Sequence, residues 1–125
     1  VNINEFLKQK INLQNNIMLK LDIEGLDFAL LKNIDFEILK KITFIMIEVP
    51  MRDNIFFEGQ LGDLIAVNNF LVSNNFILYN IDPGWSNKPT GQLIFSDGLY
   101  LNNNSKAINL DLNFNEKIGN PKIYY

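Results

Sequence analysis

Along the chain, short unbroken apolar runs alternate with stretches whose apolar residues recur at helical spacing. Asn4 to Lys10 predicts a short helix, with Asn2 or Asn4 as its cap and Phe6 and Leu7 facing inward. Polar, turn-like Asn12 to Asn16 follows. Ile17-Met18-Leu19-Lys20-Leu21-Asp22-Ile23 is too short for a helix and apolar enough for a central strand covered on both faces. Glu24-Gly25 breaks it. Leu26 to Asn33 then predicts a helix with Leu26, Ala29 and Leu30 on one side, and Asp35 to Lys41 a second helical stretch. Thr43 to Val49 is the clearest strand, β-branched and aromatic, and Pro50 stops it.

The second half repeats the alternation. Met51 to Gln60 reads as a loop, and Leu61 to Asn74 as a helix with Leu61, Leu64, Ile65, Leu71 and Val72 at helical spacing. Phe76 to Ile81 predicts a third strand. Asp82-Pro83-Gly84-Trp85 opens a loop that runs to Gly91. Leu93 to Leu101 predicts a fourth strand, interrupted near Asp97-Gly98. Residues 103–125 are Asn-rich and weakly patterned, so an irregular tail is expected there.

Strands alternating with helices predict an α/β fold, a doubly wound, mostly parallel sheet built from right-handed crossovers. The last two strands are joined without a helix and are expected to be antiparallel. A first strand apolar on both faces calls for a neighbour upstream of it.

Composition narrows the chemistry more than the fold. The 125 residues carry no Cys and no His, which removes disulfides, thiolate ligands and every imidazole or thiol nucleophile from the chain. Proton transfer is left to Asp, Glu, Lys, Tyr or water. A net charge of −3, with Lys scattered among acids, argues against general affinity for DNA or RNA. No apolar run approaches the roughly 20 residues of a membrane span, and no signal-peptide pattern is visible, so a cytoplasmic location is the expectation. Gly59-Gln60-Leu61-Gly62 matches a GxxG tetrad without flanking basic residues, which argues against nucleic-acid clamping, and no GxGxxG or Walker-type loop occurs.

In open α/β sheets, ligands bind beyond the carboxyl ends of the strands. Two predicted strands end in acids: Asp22, followed by Glu24, and Glu48. On adjacent parallel strands all three lie along one rim. Asp22 or Glu48 then acts as a general base for a substrate hydroxyl, or as a group that orients one, because clustered acids raise one another's proton affinity. Glu24 has a structural alternative, capping the helix that follows it. Lys20 points to the same face as Asp22 and either pairs with an acid or reaches an anionic ligand group. Trp85, the only tryptophan, either stacks on a sugar or plugs the sheet end.

Lys20-Leu21-Asp22-Ile23-Glu24-Gly25, then a helix carrying Leu31-Lys32-Asn33 and a strand ending Ile47-Glu48-Val49, resembles the FkbM-type methyltransferases. Asn4-Glu5-Phe6-Leu7, Phe70-Leu71 before Phe76-Ile77-Leu78-Tyr79, and the closing Asp97-Gly98-Leu99-Tyr100-Leu101-Asn102 are also similar to that family, in order over about the first hundred residues. The resemblance implies an S-adenosylmethionine-dependent enzyme that methylates a hydroxyl of a sugar or other small molecule. It implies that residues 1–102 are the C-terminal half of a Rossmann-like class I domain, strands four to seven, with 103–125 as the tail. The main donor-binding loop is then expected upstream of Val1, with Asp22 beside the donor's reactive end and the acceptor. Where the family has Glu two residues after the glycine, this chain has Asp27. Two other readings compete: a non-catalytic α/β interaction module, and a metal-dependent enzyme holding Mg²⁺ on Asp22, Glu24 and Glu48.

Overall fold

A computed structural model describes residues 2–11, 16–52 and 62–105. The elements are α1 (Ile3–Ile11), β1 (Met18–Leu21), α2 (Asp27–Lys32), α3 (Phe36–Leu39), β2 (Phe44–Pro50), α4 (Leu64–Ser73), β3 (Phe76–Pro83) and β4 (Phe95–Asn102). They form one four-stranded open sheet in the order β1-β2-β4-β3. β1 and β2 are parallel, while β4 runs antiparallel to both of its neighbours, β2 and β3. Three strands therefore share a direction, and the last strand slots between two of them. The α/β class and the antiparallel last strand match the sequence expectation; by pairing, however, the sheet is mixed.

Local chemistry accounts for the element ends. Asn2 Oδ1 accepts from the Asn4 N–H at 2.9 Å, so Asn2 takes the cap of α1. Asn4 is then free to bind the corner between α2 and α3. Its amide nitrogen donates to the Asn33 carbonyl at 2.9 Å and to Asp35 Oδ1 at 3.0 Å, while its oxygen accepts from the Asp35 N–H at 2.9 Å. Asp63 caps α4 by accepting from the Ala66 N–H at 2.9 Å. At the other end of the chain, buried Asn102 donates to the carbonyls of Lys40 and Ile42 at 3.1 and 2.9 Å and accepts from the Asn104 N–H at 3.0 Å. That side chain clips the end of β4 to the start of β2.

Both crossovers, β1 to β2 and β2 to β3, proceed the same way across the sheet, and α2, α3 and α4 contribute to one core on a single face, as the handedness rule for such connections requires. Leu21, Ile45, Ile47, Val49, Tyr100 and Phe76 are buried on that face, against Leu31, Ile38, Leu39, Val67 and Leu71 of the helices. The opposite face carries Met18, Lys20, Phe44, Met46, Glu48, Asp97 and Leu99, all half-buried or exposed. The expectation that the first strand is covered on both faces is thus overturned: Met18 is 57 % exposed.

Three further expectations shift. Phe6 is about half exposed; α1 buries Leu7, as expected, together with Ile11. In α2 the buried positions are Asp27 and Leu31, with Leu26 exposed before the helix begins, because the turn ahead of it draws Asp27 inward. β4 runs unbroken through Asp97-Gly98. The Tyr100 ring lies over Gly98 so closely that a Cβ there would stand 2.9 Å from it, so this glycine serves the strand rather than ending it. Among the described residues no helix is long and apolar enough to cross a membrane. The predicted loop between Asp53 and Gln60, most of the GxxG tetrad and the tail beyond Ser105 lie outside the described residues.

Candidate functional site

Strand register assembles the site. Glu48 on β2 stands directly opposite Asp97 on β4, and Asp97 stands opposite Asp82 on β3. Leu21 pairs with Ile47, so Asp22, the next residue along, comes level with Glu48 from the β1 side. A transverse row of four acids, Asp22, Glu48, Asp97 and Asp82, crosses the sheet at the carboxyl ends of its three parallel strands. The structure thus brings Asp22 and Glu48 together as the sequence predicts, and extends the row with two acids that sequence reasoning missed. Asp97 reads as part of a strand interruption and Asp82 as the first residue of a loop. Only a pairing register, which no local pattern reveals, lines them up.

Charge and burial act together on Glu48. It is half-buried, and its pKa is raised first by desolvation and then by Asp22, Asp27, Asp97 and Glu24. A carboxylate so placed holds a proton more firmly than an exposed one, the condition asked of a general base near neutral pH. Lys20 answers the row from β1. Its Nζ lies 2.9 Å from Asp22 Oδ2 in an exposed ion pair. Its pKa is raised, first through that hydrogen bond and the Asp22 charge, and further by Asp97 and Glu48. Of the two roles open to Lys20, pairing with an acid is the one the geometry holds.

The turn that delivers Asp22 is built around a residue of α2. Buried Asp27 accepts from the Ile23 N–H at 3.0 Å through Oδ1 and from the Gly25 N–H at 3.3 Å through Oδ2. Between those two amides Glu24 takes a left-handed φ of 48° and Gly25 one of 92°. Glu24 is exposed, and the N-cap position of α2 is Leu26, with no side-chain cap. The cap expected from Glu24 is therefore not formed: the turn faces its side chain to solvent, and Asp27 binds the turn's amides instead.

Trp85 lies just beyond the same rim. The β3–β4 pairing continues past the sheet as a narrow arm. The Trp85 carbonyl accepts from the Ile94 and Phe95 N–H groups at 2.8 and 3.2 Å, Ser86 bridges Leu93, and Asn87 to Gly91 closes the turn. The loop expected after Asp82 is thus mostly a hairpin extension. Trp85, on this arm, is 54 % exposed. At the opposite end of the sheet an open, mostly apolar recess of about 390 Å³ lies between α1 and β1, lined by Phe6, Leu7, Lys10, Ile11, Ile17, Met18 and Leu19. It is remote from the acids and carries no candidate chemistry.

The row is spread across the sheet rather than gathered about a point. Among the described residues no three acids converge closely enough to hold a metal ion. The described residues likewise contain no glycine-rich loop after a strand. Asp22 is the one expected donor contact they include. Comparison with protein-family models, with curated proteins and with solved structures matches the chain to none of them.

Proposed function

We propose that this chain forms the acceptor side of an S-adenosylmethionine-dependent O-methyltransferase acting on a small-molecule hydroxyl, such as one of a saccharide. The observation that carries the reading is the meeting of Asp22 and Glu48 at the carboxyl ends of two adjacent parallel strands. The Lys20 to Gly25 motif and its resemblance to the FkbM-type enzymes supply the reaction class. The donor, when bound, supplies an electrophilic methyl group. What remains for protein groups is to orient the acceptor hydroxyl and take its proton.

Glu48 is suited to the proton. It is partly desolvated, flanked by like charges and turned to the open face of the sheet. Asp22 is exposed at the rim and tethered by Lys20, a position from which it aligns the hydroxyl. Exposed Trp85 offers a flat apolar surface to the rest of the acceptor. Asp22→Asn in the intact protein is expected to cut methyl transfer from S-adenosylmethionine while leaving the melting temperature within a degree or two. Near-normal turnover removes Asp22 from the mechanism. A second reading, an interaction module without catalysis, draws on the half-exposed face around Met18, Phe44 and Met46 and on the edge of β1, unpaired among the described residues. Failure of the intact protein to transfer methyl to any hydroxyl acceptor favours it.

A further inference from the structure

From the geometry of the β1–α2 turn we infer that Asp27 is a positioning residue for the acid row: its buried carboxylate clamps the Ile23 and Gly25 amides and so fixes where Asp22 stands relative to Glu48. The inference deepens the methyltransferase reading and rests on it for its activity arm alone. Three observations carry it. Asp27 is 5 % exposed although it belongs to a residue type rarely buried without a partner. Both of its oxygens are spent on backbone N–H groups, at 3.0 and 3.3 Å, and those groups flank the one residue between them, Glu24. Glu24 is not a glycine, yet it holds a left-handed φ of 48°, a conformation that needs its surroundings to impose it.

The clamp explains how a strand whose last paired residue is Leu21 presents the next side chain at a defined height. Asp22 precedes the first clamped amide by one residue, so its backbone has no freedom to slide along β2. The second effect is electrostatic. The groups facing Glu48 are Lys20 and Asp22 from β1, Glu24 and Asp27 from the turn and α2, and Asp97 from β4. Lys20 is engaged by Asp22, and of the carboxylates Asp27 is the one that is buried. A charge fixed by two hydrogen bonds acts on its neighbour at constant distance, unlike those on solvated side chains.

Amide exchange and carboxyl titration by NMR on the intact protein test this directly. In the wild type, the Ile23 and Gly25 amides should exchange at least about tenfold more slowly than the Glu24 amide between them, as hydrogen-bonded and free groups of one turn do. Equal exchange at the three positions overturns the clamp, whatever any variant does. In Asp27→Asn, whose single oxygen can accept from only one of the two amides, the protection at Ile23 or Gly25 should be lost and the Glu48 midpoint should move down, while Asp27→Glu should keep the charge and restore part of the protection. An unmoved Glu48 midpoint and retained protection in Asp27→Asn overturn the inference. In the activity arm, Asp27→Asn should shift the acid limb of the pH–rate profile to lower pH and lower kcat more than it raises the acceptor KM, a pattern that loss of stability alone does not produce. Wild-type protein that transfers no methyl group rejects the methyltransferase reading, and the two NMR results then decide the clamp by themselves.

Discussion

Asp97 sits between two like charges, and removing its own should stabilise the protein. It faces Glu48 across one strand boundary and Asp82 across the other. Directly opposed side chains have Cβ atoms about 4.5–5.5 Å apart, and a like-charge pair at that distance costs roughly 0.2–1 kcal/mol. Two such pairs make the penalty about 0.5–2 kcal/mol at neutral pH. Loss of the Asp97 attraction for Lys20 offsets part of this, but Lys20 takes most of its stabilisation from Asp22. Asp97→Asn, close in shape and without charge, should therefore raise the melting temperature by about 1–6 °C at pH 7, taking about 4 °C per kcal/mol for a domain of this size.

The gain should depend on pH in a definite direction. Glu48 is raised, so the folded protein holds its proton more tightly than the unfolded chain. Its favourable contribution is complete below the ordinary carboxylate value and is lost as pH rises through the raised one. Asp97 contributes to that rise, so Asp97→Asn narrows the window over which stability falls. Thermal unfolding followed by circular dichroism at pH 7 and near pH 2, each at low salt and at 1 M, separates the terms. The increment should vanish in acid and shrink in salt, where the Debye length falls to about 3 Å. A lower melting temperature for Asp97→Asn at pH 7, or an equal increment at both pH values, refutes the like-charge account.

Two further outcomes follow from buried polar groups. Asn102→Ala removes three hydrogen bonds from a buried side chain and leaves two carbonyls of the α3–β2 connection unsatisfied; a loss of about 2–4 kcal/mol in urea unfolding is expected, and less than 1 kcal/mol rejects the clip. Tyr100 is fully buried, its hydroxyl has no hydrogen-bond partner among the described residues, and burial pushes its pKa up to about 12. Tyr100→Phe should be neutral or slightly stabilising by the same measurement, whereas a cost above about 1 kcal/mol means the hydroxyl is bonded.

Much of the fold was legible because strands and helices wrote different periods into the chain. The run from Thr43 to Val49 allowed one assignment, and the two crossovers followed from the helical stretches between strands. Side assignments fared worse. Leu26 and Phe6 read as inward by spacing, yet both are exposed; Leu7 is buried as read, and Asp27, Leu31 and Ile11 join it in the interior. In α2 the reason is physical: a carboxylate satisfied by two amides can occupy an interior position that a hydrophobic pattern reserves for leucine. Of the acid row, Asp22 and Glu48 were visible because each ends an apolar run. Asp97 and Asp82 were not, since their significance arises only when β4 pairs on both edges. Asp27 carried a faint signal, an acid two residues after a strand-ending Glu-Gly, but nothing local distinguishes a clamp from a solvated first-turn acid.

β4 also governs the order in which the molecule is completed. Among the described residues it is the last strand in sequence and the one between β2 and β3, whose places in the finished sheet are two strand spacings apart, about 9–10 Å, so until Asn102 has left the ribosome nothing can fill the space between those places. Growth of the sheet cannot track synthesis. β4 pairs with β3 on one edge and with β2 on the other, so neither ladder of the last strand can form before β4 has been made. A nascent chain halted before Phe95 exposes an inner edge on β2 and another on β3. For that interval the growing polypeptide carries the unpaired strand edges on which intermolecular pairing begins.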